Sequence, residues 1–361
     1  MPRTLATIQR ITSIESIEGA DKIEIAHLLG WQCVTQKSNN FKPGDLVCYF
    51  EIDSMLPLDT EEFSFLRKNP AETHGRIKTI KLKGKFSQGL LLPIEIIRSV
   101  LKTADEQFEE GQDLTERLKI KKYEPPQTTN LGGENLGDFP QFVSKTDETR
   151  IQAYPDVLTR HKGERMYVTE KIDGSSVTVF YVPRNTPGIP TKCLELNPYV
   201  DMIFGVCSRN LVLKESLDNS FWKAVTDVNL RQKLTALNKP IVLQGELFGA
   251  GVQGNKLKAP KTSIVWFNVV DPMTRRYYGY EASQDLLTAL GLTRVPVLTD
   301  NLILDHTVED LVQYSIGKSA LNPEVWREGI VLRSYEPKED RELGNLSFKV
   351  INPEFSVKYG E

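Results

Sequence analysis

Lys171-Ile172-Asp173-Gly174 is a grouping that could do chemistry: a lysine two residues ahead of an aspartate, followed by a glycine. A deprotonated lysine is a nucleophile. In a strand, Lys171 and Asp173 share one face while Glu170 and Ile172 share the other. A carboxylate beside the amine keeps it protonated and unreactive. A reactive Lys171 therefore needs something to offset Asp173. A divalent metal held by that carboxylate, directly or through water, would do so and would depress the lysine pKa.

The rest of the chain can be searched for what such a lysine requires: carboxylates for metal and ribose, cations for phosphates, and an aromatic for a base. Candidates lie at the ends of expected strands. They are Arg209 in "CSRN", Glu246 in "LQGELFG", Phe267 in "WFNVVD", Glu328 in "EGIVLRS" and Lys349 in "SFKVIN". Upstream, "KTDETR", from Lys145 to Arg150, mixes both charge signs. Each has an ordinary explanation when taken alone. K-x-D-G is usually a surface hairpin, Arg209 a solvated cation, Phe267 a core residue and Lys349 a surface lysine. Glu246 and Glu328 could be exposed strand ends. Only the ordered set favours a site.

These residues need elements to hold them. The first hundred residues alternate in short apolar runs bounded by Gly and Pro, such as "IEIAHL" and "DLVCYF", which predicts a small barrel or sandwich. Pro93 opens a helical stretch, "PIEIIRSVLKTADEQF". "KKYEPPQTTNLGGENLGDFPQ" is rich in Pro, Gly, Asn and Thr and reads as a linker. Beyond it, "MYVTEKID" and "SSVTVFY" flank Asp173-Gly174 as the arms of a hairpin. Further strands ("PIVLQGELFG", "TSIVWFNVVD", "EGIVLRS") and helices ("EASQDLLTALG", "VEDLVQYSI") follow without strict alternation. The class is α+β. The division expected is a domain over 1–120, a linker over 121–142 and a second domain over 143–361.

The 361 residues suit two domains, and the net charge of −3 excludes a general polycation. Any nucleic acid would be gripped by local basic patches. The four cysteines form no C-x-x-C pair and the four histidines are scattered, which argues against a zinc site and for a reducing, intracellular and cytoplasmic setting. No signal peptide or membrane span is expected. "GAGVQG", Gly249 to Gly254, matches G-x-G-x-x-G, but Pro260 stands where a helix should begin. "GKS", Gly317 to Ser319, lacks the first glycine of a P-loop, since position 312 is Val312.

The ordered set resembles the covalent nucleotidyltransferases: DNA ligases, RNA ligases and mRNA capping enzymes. "EKIDGS" is similar to their motif I, with Lys171 as nucleophile. "SRN" resembles motif Ia, "GELFG" motif III, "FNVVD" motif IIIa, "EGIVLRS" motif IV and "SFKVIN" motif V. Only about a dozen residues follow Lys349, too few for a domain. The extra domain is therefore expected ahead of the catalytic half, and "KTDETR" is a feature of RNA ligases. The chain resembles the ATP-dependent RNA ligases with an N-terminal OB domain. "SIEGADKIEIAHLLGWQCV" and "RIKTIKLKGKFSQGLLLP" carry that likeness in the N-terminal part. Two departures stand out. Motif V of RNA ligases often has two lysines two apart, and here Ser347 replaces the first. "RNTPGIPTKCLELNPYV" and "EPKEDRELGN" read as surface insertions.

The resemblance implies an N-terminal OB-fold β-barrel followed by an adenylyltransferase domain of antiparallel sheets flanked by helices. It implies ATP and Mg²⁺ or Mn²⁺ as cofactors, and an RNA duplex or RNA-containing nick as partner, with no membrane and no obligate protein partner. Lys171 would carry AMP before its transfer to a 5′-phosphate end and sealing by a 3′-hydroxyl, as in RNA repair. Phe267 would stack on adenine, and Arg209 and Glu246 would hold ribose and nearby phosphate, with Glu170 also among the nucleotide contacts. Asp173 and Glu328 would position the water shell of the metal. Lys349 would meet the α-phosphate, and Arg150 and Lys145 the β- or γ-phosphate. Arg76, Lys78, Lys81, Lys83 and Lys85 form the basic candidate for RNA, against the alternative of a lysine-protected strand edge. Two other functions fit less well: a DNA ligase or GTP-using capping enzyme, and an inactive RNA-binding protein. Retention of Lys171, Asp173, Glu246 and Glu328 argues against the inactive protein.

Overall fold

The apolar runs of the N-terminal third become short strands that share one core. In the computed structural model, which describes residues 4–124, 133–196 and 198–360, Leu46–Phe50 lies between Ala6–Arg10 and Leu90–Pro93, antiparallel to both. Ser13–Ser16, Ile23–Leu28 and Trp31–Gln36 form a meander, and Ile80–Leu82 with Lys85–Ser87 forms a ribbon. Ile8, Trp31, Phe50 and Phe63 are fully enclosed at the centre. This is the OB-fold region. The helix expected after Pro93 runs only over Ile94–Leu101. Lys102 turns left-handed and its N–H closes on the Arg98 and Ser99 carbonyls, which stops the helix before the polar "TADEQF".

The segment read as a linker contributes to the sheets at both ends. Lys121–Lys122 pairs with Ser54–Pro57 of the OB region, and Asn135–Asp138 pairs with Leu211–Leu213 of the second half. Phe142 and Val143 are buried against Phe180 and its neighbours. Strands of two to four residues are too short to show a period among prolines and glycines. The remainder of that reading, 125–132, lies outside the described residues.

Two sheets build the second half. Seven antiparallel strands run in the order Asn135–Asp138, Leu211–Leu213, Met202–Cys207, Ser175–Pro183, Ile241–Phe248, Ser263–Asp271 and Arg276–Tyr277. Five strands form the other sheet: Thr149–Arg150, Ser347–Ile351, Gly329–Ser334, Arg165–Lys171 and Val297–Ile303. Helices Ser220–Asp227, Leu230–Leu237 and Tyr280–Ala289 share a core with one face of the large sheet. Asp156–Arg160 and Val308–Ser315 do the same for the small one. Each sheet thus has one face closed by helices. Among the described residues, no helix is long and apolar enough to cross a membrane.

The strands around Asp173-Gly174 are not a hairpin. Arg165–Lys171 pairs with Gly329–Ser334 and Val297–Ile303, whereas Ser175–Pro183 pairs with Met202–Cys207 and Ile241–Phe248. The turn therefore carries the chain from one sheet to the other, and Lys171 is the last residue before the crossing. Gly174 is required by that passage. A Cβ there would fall well inside contact of the Leu247 carbonyl oxygen and would crowd the Glu246 side chain. Gly174→Ala is expected to destabilise the fold by about 2 kcal/mol, measured by denaturant unfolding. A neutral result would show that the crossing can relax.

The two supposed surface insertions are anchored. Ile189 and Cys193 of the first are buried in the core around Phe180. Its Asn197 lies outside the described residues. In the second, buried Asp340 meets Arg160 at 3.0 Å and His161 at 2.9 Å.

Candidate active site

Lys171 stands at the C-terminal end of the strand Arg165–Lys171, directly opposite Gly329. Its Nζ is 2.6 Å from Glu328 Oε1. Gly329 has no side chain to compete for this space, and a Cβ there would strike the Val350 carbonyl oxygen. Two other carboxylates face the amine. Glu246, opposite Ser176 in the large sheet, and Asp173 both act on its charge. Burial works against the ammonium form, but Glu328, Glu246 and Asp173 outweigh it and hold the Lys171 pKa above the ordinary lysine value. Burial, together with Glu328 and Asp173, pushes Glu246 up to about 8, although Lys171 and Arg209 pull it down. Three carboxylates crowd one lysine.

Sequence reasoning missed a second cation here. Lys256 Nζ lies 3.2 Å from Asp173 Oδ1. It sits over the Phe355 and Tyr359 rings of the helix Pro353–Tyr359, 5.4 and 5.7 Å from their centroids. It comes from the loop after "GELFG", whose sequence has no period to indicate where its side chains point.

Phe267 owes its position to a bulge. Between Gly245↔Trp266 and Gln244↔Asn268 the register slips, so Phe267 has no partner in the ladder. Val265 and Phe267 share the face of Glu246, and after the slip Asn268 shares it too, bonding Gln244 at 3.0 Å. Arg333 lies 5.2 Å from the Phe267 ring centre. It is buried, donates to Thr169 Oγ1 at 3.1 Å and meets Glu148 at 3.2 Å. Its cross-strand partner is Ser347, the residue that stands where a lysine was expected. At this register the positive charge is thus carried by the neighbouring strand, on Arg333.

The segment "KTDETR" bridges both sheets. Thr146 bonds Ser176 at 2.6 Å, Asp147 takes Arg209 at 2.7 and 2.9 Å, and Glu148 takes Arg333. Thr149–Arg150 then joins the small sheet parallel to Ser347–Ile351, with Arg150 beside Lys349. The charges of Lys349 and Lys122 are felt at Asp147. Lys145 sits at the far end, donating to Asn210 Oδ1 at 2.7 Å next to Arg209. Glu170 points away from Lys171. Its Oε2 accepts from the Ala320 N–H at 2.7 Å, as the strand alternation requires.

The OB basic residues do not form one open face. Arg76 is paired with Asp53 at 2.7 Å and lies 3.7 Å from the Tyr123 ring centre. Lys81 reaches Glu354 of the other half at 2.7 Å, and Lys85 reaches Glu15 at 3.1 Å. Lys83 turns the exposed tip of the ribbon with φ 49°. Lys78 lies near the C-terminal helix, its Nζ 3.2 Å from where a Cβ on Gly360 would stand.

An OB region, two sheets meeting at a lysine, and carboxylates and arginines gathered around it define a nucleotidyltransferase. A family model described as an OB-fold domain matches residues 5–94, and one described as RNA ligase matches residues 164–351. The chain belongs to the RNA ligase family. It is similar to the solved RNA ligase of Naegleria gruberi in a form with ATP and Mn, at 36% identity and TM-score 0.83 over 98% of each chain. A form with AMP and Mn, at 36% identity, and one with PPi, at 35%, each match over 99% of both chains with the same TM-score. A comparison with curated proteins finds no match.

Proposed function

We propose that the protein is an ATP-dependent ligase that seals 3′-hydroxyl and 5′-phosphate RNA ends, at nicks in duplex RNA, through AMP bound covalently to Lys171. The observation that carries this reading is the place of Lys171 at the crossing between sheets, 2.6 Å from Glu328 and facing Glu246 and Asp173. The likeness to structures holding ATP, AMP and PPi supports a site for the nucleotide and for pyrophosphate. In the first step the Lys171 Nζ–phosphorus bond forms at the α-phosphate as the bond to the β-phosphate oxygen breaks. Pyrophosphate leaves with the electron pair and the amine gives up its proton. AMP then passes to the 5′-phosphate, and the 3′-hydroxyl displaces it.

Each residue has a part in this reading. Phe267 and Arg333 form the base-stacking wall, Arg209 and Glu246 hold the sugar and nearby phosphate, Lys349 opposes charge on the α-phosphate, and Arg150 orients the departing pyrophosphate. Lys145 lies further along the same strap, and Glu170 acts through the backbone it fixes. A divalent cation fits as a hydrated ion. Among the described residues no three His, Cys, Asp or Glu side chains form a metal cage. Yet Glu328 Oε2 is buried with no hydrogen-bond partner among them, and carboxylate oxygens suit Mg²⁺ or Mn²⁺ and their waters. When bound, the cation would neutralise phosphate charge and make the lysine easier to deprotonate. Residues 1–120 would grip the duplex through the ribbon tip at Lys83, residues 121–142 would connect, and 143–361 would adenylylate. Four buried free thiols agree with an intracellular, reducing setting.

Since Lys171 is held protonated, single-turnover adenylylation should accelerate as the pH rises from ~7 to ~9. A flat or falling rate would contradict the role given to the amine. The substrate reading is tested by sealing nicked duplexes with ribose on one side of the break at a time. Loss of sealing when the 3′-hydroxyl side is DNA supports an RNA ligase, and equal sealing of all-DNA nicks overturns that specificity.

A further inference from the structure

Asp53 lies in the OB region, in the turn between Leu46–Phe50 and Ser54–Pro57, yet it reaches the active-site strap. Its φ is 74°, a left-handed conformation that aspartate and asparagine tolerate better than most residues. Two backbone hydrogen bonds hold it there. Its N–H donates to the Ile77 carbonyl at 2.9 Å, and its carbonyl accepts from the Tyr123 N–H at 2.8 Å. The carboxylate is mostly enclosed and serves two arginines. Oδ1 accepts from Arg76 Nη2 at 2.7 Å and Nε at 3.2 Å, while Oδ2 faces Arg150 Nη2 at 3.7 Å. Arg76 is fixed in turn against the Tyr123 ring. One side of this network is anchored within the OB region, and the other meets the arginine that runs beside Lys349 in the small sheet.

We propose that Asp53 is a positioning residue for lysine adenylylation, holding the Arg150 guanidinium from the OB region so that the first chemical step depends on how the two halves dock. This rests on the reading of Arg150 as the contact for the departing phosphates. At 3.7 Å the pair is an ion pair rather than a short hydrogen bond, so Asp53 orients Arg150 by charge. A second contact between the halves fixes the same docking, the Gly30 N–H donating to the Gln152 carbonyl at 2.9 Å, two residues beyond Arg150. The OB region then has a task in nucleotide chemistry besides gripping RNA.

Asp53→Asn removes the charge while keeping a side chain that tolerates the left-handed backbone. The experiment compares this variant, Arg150→Ala and the double variant in two assays: single-turnover adenylylation with α-labelled ATP, and sealing of an RNA strand already carrying a 5′ adenylate. Asp53→Asn should slow adenylylation about tenfold, and the double variant should be no slower than Arg150→Ala alone. Sealing of the adenylylated strand should stay near wild type in Asp53→Asn. Additive losses in the double variant, or equal losses in both assays for Asp53→Asn, would overturn the proposal. Wild-type adenylylation by Arg150→Ala would instead overturn the leaving-group reading beneath it, and the proposal with it.

Discussion

Lys171→Arg should lose covalent labelling by α-labelled ATP by at least about 10⁴-fold while remaining folded. Arginine keeps the positive charge and can still reach Glu328, so the carboxylates around it are not left without a cation. A guanidinium, however, stays protonated and cannot attack phosphorus. The substitution therefore separates nucleophile from counter-charge, which alanine would not. Alanine would leave Glu328, Glu246 and Asp173 with less compensation and would mix a chemical defect with instability. If Lys171 serves only in the first step, the arginine variant should still seal a strand that already carries a 5′ adenylate. Labelling at more than a trace level in Lys171→Arg would mean that another residue accepts AMP.

Glu328→Gln should reduce labelling by about 10²- to 10³-fold without abolishing nucleotide binding. The amide can still accept a hydrogen bond from Lys171, so the geometry at 2.6 Å is largely retained. What is lost is a negative charge on the side of the lysine where a hydrated cation fits, together with a buried acceptor that has no hydrogen-bond partner among the described residues. The defect should lie in the rate and in the metal concentration needed to reach it, with ATP affinity much less affected. The measurement is single-turnover labelling across a Mn²⁺ titration. An unchanged metal requirement would remove Glu328 from the water shell and leave it as a counter-ion for Lys171 alone.

The chemistry was more legible in the sequence than the geometry was. Lys171 and Glu328 stand at strand ends and Glu246 two residues inside one, where residue type and strand period place them without knowledge of pairing, and the fold brings all three together. The supposed hairpin shows the limit. Asp-Gly between alternating runs is a local signal, but the partner of each run is decided by distant strands and by the tight passage past Leu247. The aim of Phe267 depends on a bulge that only the register reveals. Lys256 and Asp53 were invisible for a related reason. Both act from turns or loops, and their partners lie 83 and 97 positions away along the chain. In the basic run from Arg76 to Lys85 the charges can be read from sequence, but the pairing of Arg76, Lys81 and Lys85 with Asp53, Glu354 and Glu15 cannot.

The central claim is that Lys171 carries AMP, and peptide mapping tests it most directly. The protein is incubated with ATP and Mn²⁺ in the absence of RNA, digested under conditions that preserve a phosphoramidate, and sequenced by tandem mass spectrometry. A single adenylyl group on the Lys171 side chain, lost when pyrophosphate is added back, is the predicted result. An adenylyl group on another residue, or none on a protein that seals RNA, would contradict it.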